Sequence, residues 1–264
     1  QLPKIGLVKT VISRFCYGKI KNVIACRTPS NKYFVKILVE QEKRTKAVIN
    51  KKENVLGVDM SIKELAVYSD GTKAKYPQYY RKSLKKLAKT QRRFSKTIKD
   101  SKRHEKQRIK LARIHERIKN QRRDFLNNET TRIANLYNVV VIESLHMKDI
   151  AKLNFRNGKS VYDVGFGLYR KMLEYKLNER QGKLIKADRF YPSSQLCSNC
   201  NFKNTAVKNI SIRTWICPKC GKQHDRDINA AINLVHYYTV TTTEINARGE
   251  ELSPHADMQN GIFK

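Results

Sequence analysis

Thiols and carboxylates are the side chains of this sequence whose spacing could do chemistry. Cys197-x-x-Cys200 and Cys217-x-x-Cys220 stand 16 residues apart (201–216). Each pair can form a knuckle that turns two thiolates toward one tetrahedral ion. Four thiolates fill a zinc ion and leave no position for water, so the cluster reads as a structural zinc ribbon rather than a catalytic zinc site. Gly221 suits the turn after the second pair, and His224 is either a competing ligand or, the preferred reading, a neighbour of the active site or a surface residue. Cys16 and Cys26 fall in apparent strands and read as buried thiols.

The carboxylates are Asp59, Glu143 and Asp227. Asp59 ends an apolar strand in GVDMSIKELAVYSDG, Glu143 ends VVVIES, and Asp227 opens a helix in HDRDINAAINL. Taken singly, each is an ordinary turn or capping residue, and Asp225 is an alternative cap for the helix of Asp227. Taken together they suggest more. An acid directly after a buried apolar strand carries a desolvation cost that needs a partner. Three converging acids can gather two divalent ions about 4 Å apart, the arrangement that phosphodiester hydrolysis uses. Ala230 and Ala231 would let the third acid's helix pack closely on the sheet.

These residues must be positioned by strands and helices. Three short strands are predicted at 8–15, 19–27 and 33–42, the last two joined by Thr28-Pro29-Ser30-Asn31, as part of a small β-barrel. A polar linker follows at 43–53. A meander of 54–60, 64–70 and 72–77 comes next, with Gly71 in its second turn. Apolar residues at helical spacing over 79–135 predict two long helices meeting near Asp100-Ser101. The β-branched run 138–144 suits a strand covered on both faces. A loop at 154–160, a helix at 163–181 and a strand at 183–188 complete the order β-β-β-α-β-α-β, which is that of an RNase H-like α/β fold. Residues 190–224 hold the cysteines, 227–238 a closing helix, and 239–264 a disordered tail.

Charge names the class of partner. Lys and Arg number 55 against 23 acids, a formal net charge of +32, which excludes an ordinary enzyme for a small neutral substrate and implies a polyanion. Positions 81–123 hold 19 Lys or Arg against only Asp100, Glu105 and Glu116. The helical pair is therefore a cationic rail for nucleic acid, with Lys82, Lys86, Arg92, Arg93, Arg122 and Arg123 as candidate contacts. The basic residues of the first strands suit either a phosphate backbone or a solvated edge. No apolar stretch is long enough for a membrane span and no secretory signal is present, so the expectation is the cytoplasm or nucleoid, without a membrane partner.

The segments LPKIGLVK, GKIKNVIACRTPSNKYFVKILVE, GVDMSIKELAVYSDG, YYRKSLKKLAKTQRRFS, NQRRDFLNNETTRIA, VVVIESLHMKDI, DRFYPSSQLCSNC and WICPKCGKQHDRDINAAINL occur in order through residues 3–238. In that order they resemble the TnpB/OrfB proteins of bacterial and archaeal insertion sequences, relatives of the compact type V CRISPR effectors. The resemblance implies a wedge-like partial barrel and linker over 1–53 and a RuvC-like nuclease core over 54–189. It further implies a zinc ribbon over 190–224 and a closing RuvC helix over 225–238, before the tail at 239–264. Asp59, Glu143 and Asp227 would be the RuvC acids holding magnesium, with Arg226 either at the scissile phosphate or in a surface salt bridge. The implied activity is cleavage of DNA specified by a guide RNA transcribed from the element's end. Members carry a further N-terminal region, so the chain reads as truncated. That leaves a non-cleaving nucleic-acid-binding protein or a decayed transposon remnant as the alternative. Asn201 stands where glycine is common and tolerates the same left-handed turn. Strand transfer by a tyrosine nucleophile finds no support.

Overall fold

A run such as VVVI, apolar at every position, must be covered on both faces, and the fold is built around that requirement. The computed structural model describes residues 6–12, 15, 17–41, 54–144 and 163–248. Strands β1 (Lys19–Arg27) and β2 (Tyr33–Glu40) form an antiparallel hairpin. The main sheet contains β3 (Val55–Ser61), β4 (Leu65–Tyr68), β5 (Val139–Ile142) and β6 (Lys183–Lys186). Helices α1 (Tyr79–Ser95) and α2 (Lys102–Leu136) lie between β4 and β5, and α3 (Phe166–Asn178) precedes β6. A small hairpin of β7 (Thr214–Ile216) and β8 (Gln223–Asp225) leads into α4 (Arg226–Arg248).

The main sheet has the order β4-β3-β5-β6, with β4 antiparallel to β3 and the other pairs parallel. The chain is thus a mixed α/β fold. Side chains alternate across a strand, and the two faces go to different partners. Leu56, Val58, Val140 and Ile142 pack with Leu126 and Ile133 of α2 and Tyr169, Leu173 and Leu177 of α3. Val139 and Val141 pack with Leu234 and Tyr238 of α4. On that second face Gly57 meets α4 so closely that an added Cβ would lie 1.9 Å from the Ala231 carbonyl oxygen.

Several sequence expectations change. Among residues 7–12 no strand forms, and Leu7, Val11 and Ile12 are exposed, so the expected barrel is, within the described residues, a two-stranded hairpin. Its turn falls at Thr28–Asn31, where Asn31 takes a positive φ of 64° and its Oδ1 accepts from the Arg27 guanidinium. The third strand of the meander reduces to a single bridge, Val67 to Lys73. Ala74 and Tyr76 N–H groups do reach Ala66 and Glu64, but Pro77 has no N–H with which to continue the ladder. The two helices do meet at Asp100-Ser101: Asp100 has φ 63°, and the Ser101 hydroxyl caps α2 by accepting from the His104 N–H.

The tail expected from 239 is helical as far as Arg248. The hydroxyls of Thr239, Thr241, Thr242 and Thr243 each donate to the carbonyl four residues back, a bond that composition alone does not announce. Cys26 is only partly buried, because among the described residues no layer covers that part of the hairpin. Cys16, the linker at 43–53, the loop at 154–160 and the tail beyond 248 lie outside the described residues.

Candidate active site and metal centre

Strand alternation brings the first two acids together. Val58 pairs with Ile142 across β3 and β5, so Asp59 and Glu143, each one residue further on, leave the same end of neighbouring strands. Both belong to the set facing α4. Helix α4 runs back against β3 with Ala231 over Gly57. Asp227 lies four residues before Ala231, about 6 Å along the helix, and Asp59 two residues beyond Gly57, about 7 Å along the strand. The close glycine contact therefore aligns the third acid with the first.

The electrostatics record this convergence. Burial, then the charges of Glu143 and Asp227, raises the Asp59 carboxyl well above its ordinary value, against the opposing pull of Arg226 and Arg213. Glu143 is also raised, chiefly by burial and further by Asp227, while the Ser193 hydrogen bond and Arg226 oppose the shift. Among the described residues no hydrogen bond reaches the Asp59 carboxylate. Asp227 faces the Arg213 guanidinium at 3.3 Å. The helix cap is Asp225, whose Oδ1 accepts from the N–H groups of Asp227 and Ile228 at 3.0 Å each, so the Asp227 carboxylate is not used as the cap and pairs with Arg213 instead. Three oxygen donors that repel one another in a partly desolvated place fit hard divalent cations.

Ser193 was not among the residues singled out from the sequence. Its hydroxyl donates to Glu143 Oε1 at 2.6 Å. The signal lay in the segment DRFYPSSQLCSNC, but a serine in a loop carries no spacing rule that would select it.

The four cysteines come together as their spacing predicts. Their sulfurs lie within 4.8 Å of one another, with Cys197 3.6 Å from Cys220 and Cys200 3.6 Å from Cys217. The cluster is placed to hold a metal ion such as zinc. Its knuckles use left-handed residues, Asn201 at φ 57° and Gly221 at φ 67°, and the N–H of each closes the turn on Cys197 or Cys217. The four thiols share their charge unevenly: the Lys222 backbone N–H lowers the Cys220 thiol to about 6, while burial raises Cys197 and, against the Phe202 backbone N–H, burial and the neighbouring thiols raise Cys200. His224 is buried against Trp215, its Nε2 3.1 Å from Cys197 Sγ, a position that supports a thiolate without replacing one.

The basic candidates divide. Lys82, Lys86, Arg92, Arg93 and Arg123 are exposed on α1 and α2. Arg122 is not available in the same way, since its guanidinium turns inward to Asp163 at 2.7 Å, and Asp163 is only 4% exposed. Arg226 is half-buried beside the acids, and its Nε has no hydrogen-bond partner among the described residues.

Two family models match. One, OrfB_IS605, "Probable transposase", spans residues 36–154, and the other, "Cas12f1-like, TNB domain", spans residues 166–234. The chain is 35% identical over 213 residues to a "Putative RNA-guided DNA endonuclease" of Streptomyces pristinaespiralis, covering 81% of this chain and 52% of that protein. It is 31% identical over 249 residues to "Putative RNA-guided DNA endonuclease InsQ" of Escherichia coli strain K12, covering 89% of this chain and 60% of that one. It thus spans little more than half the length of these relatives. A solved structure of similar shape is the cryo-EM structure of the Cas12f1-sgRNA-target DNA complex, with a TM-score of 0.49, 16% identity, and coverage of 80% of this chain and 55% of that one. By the two family models and these sequence relatives, residues 36–154 and 166–234 of the chain resemble the TnpB/OrfB family and its Cas12f1-like relatives.

Proposed function

We propose that this chain carries the nuclease centre of an RNA-guided DNA endonuclease, with a RuvC-like core over 54–189 and a zinc ribbon over 190–224 inserted before the closing helix. The convergence of Asp59, Glu143 and Asp227 on one face of the sheet is the observation that carries the reading. The names of the two relatives described above support it, as does the cationic α1–α2 pair. No helix among the described residues is long and apolar enough to cross a membrane; a nuclease acting on DNA would work in the cytoplasm or nucleoid.

Asp59, Glu143 and Asp227 would hold divalent ions, magnesium in the cell. When bound, these supply the Lewis acidity that activates water and neutralises charge on the scissile phosphate. The chain's own residues do the rest. Gly57 and Ala231 set the separation of the acids, Asp225 caps α4 so that Asp227 is not needed as the cap, and Arg213, paired with Asp227, and Arg226 offer positive charge where phosphate would arrive. Cys197, Cys200, Cys217 and Cys220 hold zinc and fix the loop that precedes α4. Lys82, Lys86, Arg92, Arg93 and Arg123 grip phosphate backbones by charge, leaving sequence choice to base pairing between guide RNA and target DNA. A binding protein without cleavage has no use for three converging acids, so the non-cleaving alternative is not favoured.

The test is cleavage by protein expressed with its flanking DNA and purified with its RNA, in magnesium and in EDTA. Magnesium-dependent cutting that Asp59→Ala abolishes is the expected result. Cutting that survives Asp59→Ala would refute the assignment of the centre.

A further inference from the structure

Glu143 stands one residue beyond the last paired position of β5, Ile142 opposite Lys186. The strand ladder no longer fixes it, and its side chain has three rotatable bonds. We propose that Ser193 is a positioning residue for Glu143, and that Asn233 of α4 holds Ser193 in place; the inference rests on the reading of Asp59, Glu143 and Asp227 as the metal-binding acids. Ser193 is 4% exposed, and its hydroxyl donates to Glu143 Oε1 at 2.6 Å. That bond occupies one carboxylate oxygen and leaves the other for the ion shared with Asp59 and Asp227. Outer hydrogen bonds of this kind orient ligating carboxylates.

Ser193 is itself fixed from α4. The Asn233 side-chain amide, 1% exposed, donates to the Ser193 and Leu196 carbonyls at 2.7 Å each. One turn earlier, the Asn229 amide donates to the Leu196 carbonyl at 2.7 Å and its Oδ1 accepts from the Ser198 N–H at 2.9 Å. The Tyr191 hydroxyl closes the segment by donating to the Asn233 carbonyl at 3.0 Å. The helix that carries the third acid thus also holds the loop that orients the second. Asn229 and Asn233 are i, i+4 neighbours on one helix face, and both are buried where an apolar residue would pack as well. Their amides serve the loop.

The experiment uses the intact chain and Mn2+ as the probe, with calorimetry for affinity, thermal melting for the fold and zinc content for the ribbon. Ser193→Ala should weaken Mn2+ binding about tenfold or more, with melting and zinc content as in the parent chain. Ser193→Thr, which keeps the hydroxyl, should recover the affinity to within a small factor. Unchanged Mn2+ affinity in Ser193→Ala would overturn the proposal, as would a Ser193→Thr protein no tighter than Ser193→Ala, or loss of the melting transition in Ser193→Ala. Asp59→Asn separates this failure from that of the underlying reading. Mn2+ binding lost in Asp59→Asn but intact in Ser193→Ala removes only the role of Ser193. Binding that survives Asp59→Asn, or absence of binding in the parent chain, removes the acid site itself and the proposal with it.

Discussion

Gly57→Ala tests the geometry of the acid site without touching an acid. The new Cβ would lie 1.9 Å from the Ala231 carbonyl oxygen, 2.9 Å from its carbon and 3.1 Å from Val235 Cγ2. Carbon and oxygen normally keep about 3.3 Å apart, so α4 must retreat by about 1.4 Å. The clash is with helix backbone, and no flexible side chain can yield in its place. Removing a glycine from a strand would by itself gain about 0.5–1 kcal/mol, whereas overpacking costs about 1–3 kcal/mol. Because the clash is with fixed helix backbone, the overpacking term takes the upper part of its range and wins by up to about 2.5 kcal/mol. The melting temperature should fall by up to roughly 10 °C for a domain of this size. The larger effect is on chemistry. Asp227 moves with α4 away from Asp59, and misplacement by about 1 Å costs on the order of 100-fold in rate. Gly167→Ala is the control: Gly167 is exposed on α3 with nothing within 4 Å, and the change should stabilise the helix by up to about 1 kcal/mol. Thermal melting and Mn2+ calorimetry on both proteins decide the matter. A Gly57→Ala chain that melts and binds like its parent would refute the argument that this contact sets the site.

The carboxyls of Asp59 and Glu143 are held above their ordinary values of 3.8 and 4.5, so their ionisation opposes folding. Stability without divalent ions should be greatest below those values and be lost as pH rises through the raised ones, by up to about 1.4 kcal/mol per pH unit per group. Denaturation of Asp59→Asn against its parent from pH 4 to 7 should show a flatter dependence in the variant, and parallel curves would sink the reading. Cys217→Ser should abolish stable zinc retention and lower the melting temperature of the region 190–224, measured by zinc content and hydrogen exchange; zinc retained at one equivalent would contradict the four-thiolate site. Replacing Lys82, Lys86, Arg92 and Arg93 together by Gln should reduce the slope of log affinity for duplex against log salt by about 3–4. Arg122→Gln should instead leave that slope nearly intact and cost about 3 kcal/mol of stability, because it strands buried Asp163. Salt-titrated binding and denaturant melts of the two proteins separate these outcomes.

Much of this arrangement was legible from spacing. The two C-x-x-C pairs announce themselves, and an acid after an apolar run marks a strand end facing a special environment, as at Asp59 and Glu143. Ala230 and Ala231 behind Asp227 gave the close helix packing, with Gly57 as its unread counterpart on the strand. What stayed hidden depends on tertiary partners. Arg122 is one cation among 19 in its stretch, and only the position of Asp163 turns it inward. The first expected strand has an apolar pattern but finds no partner among the described residues. Threonines after Tyr238 lower helix propensity, yet their hydroxyls return to the helix backbone and α4 continues. Ser193 acts through a bond to a residue 50 positions away, and no local pattern encodes such a pairing.

The order of elements gives the thiol cluster a part in the acid site. Strand β8 runs directly into α4, so the second knuckle and the third acid are separated by only six residues (221–226). The Arg226 N–H donates to the Arg213 carbonyl at 2.8 Å, and Arg213, from the same hairpin, faces Asp227. Asp225 ends β8 and caps the helix. On the other side of the cluster, Cys197 ends the segment that begins at Tyr191 and presents Ser193 to Glu143. A helix N-terminus left uncapped frays within its first turn, and Asp227 lies in that turn. An ion holding the four thiols would therefore act at a distance, fixing both chain segments that flank it and, through them, two of the three acids. The position of the four-thiol cluster immediately before α4 is what would give one bound ion this reach.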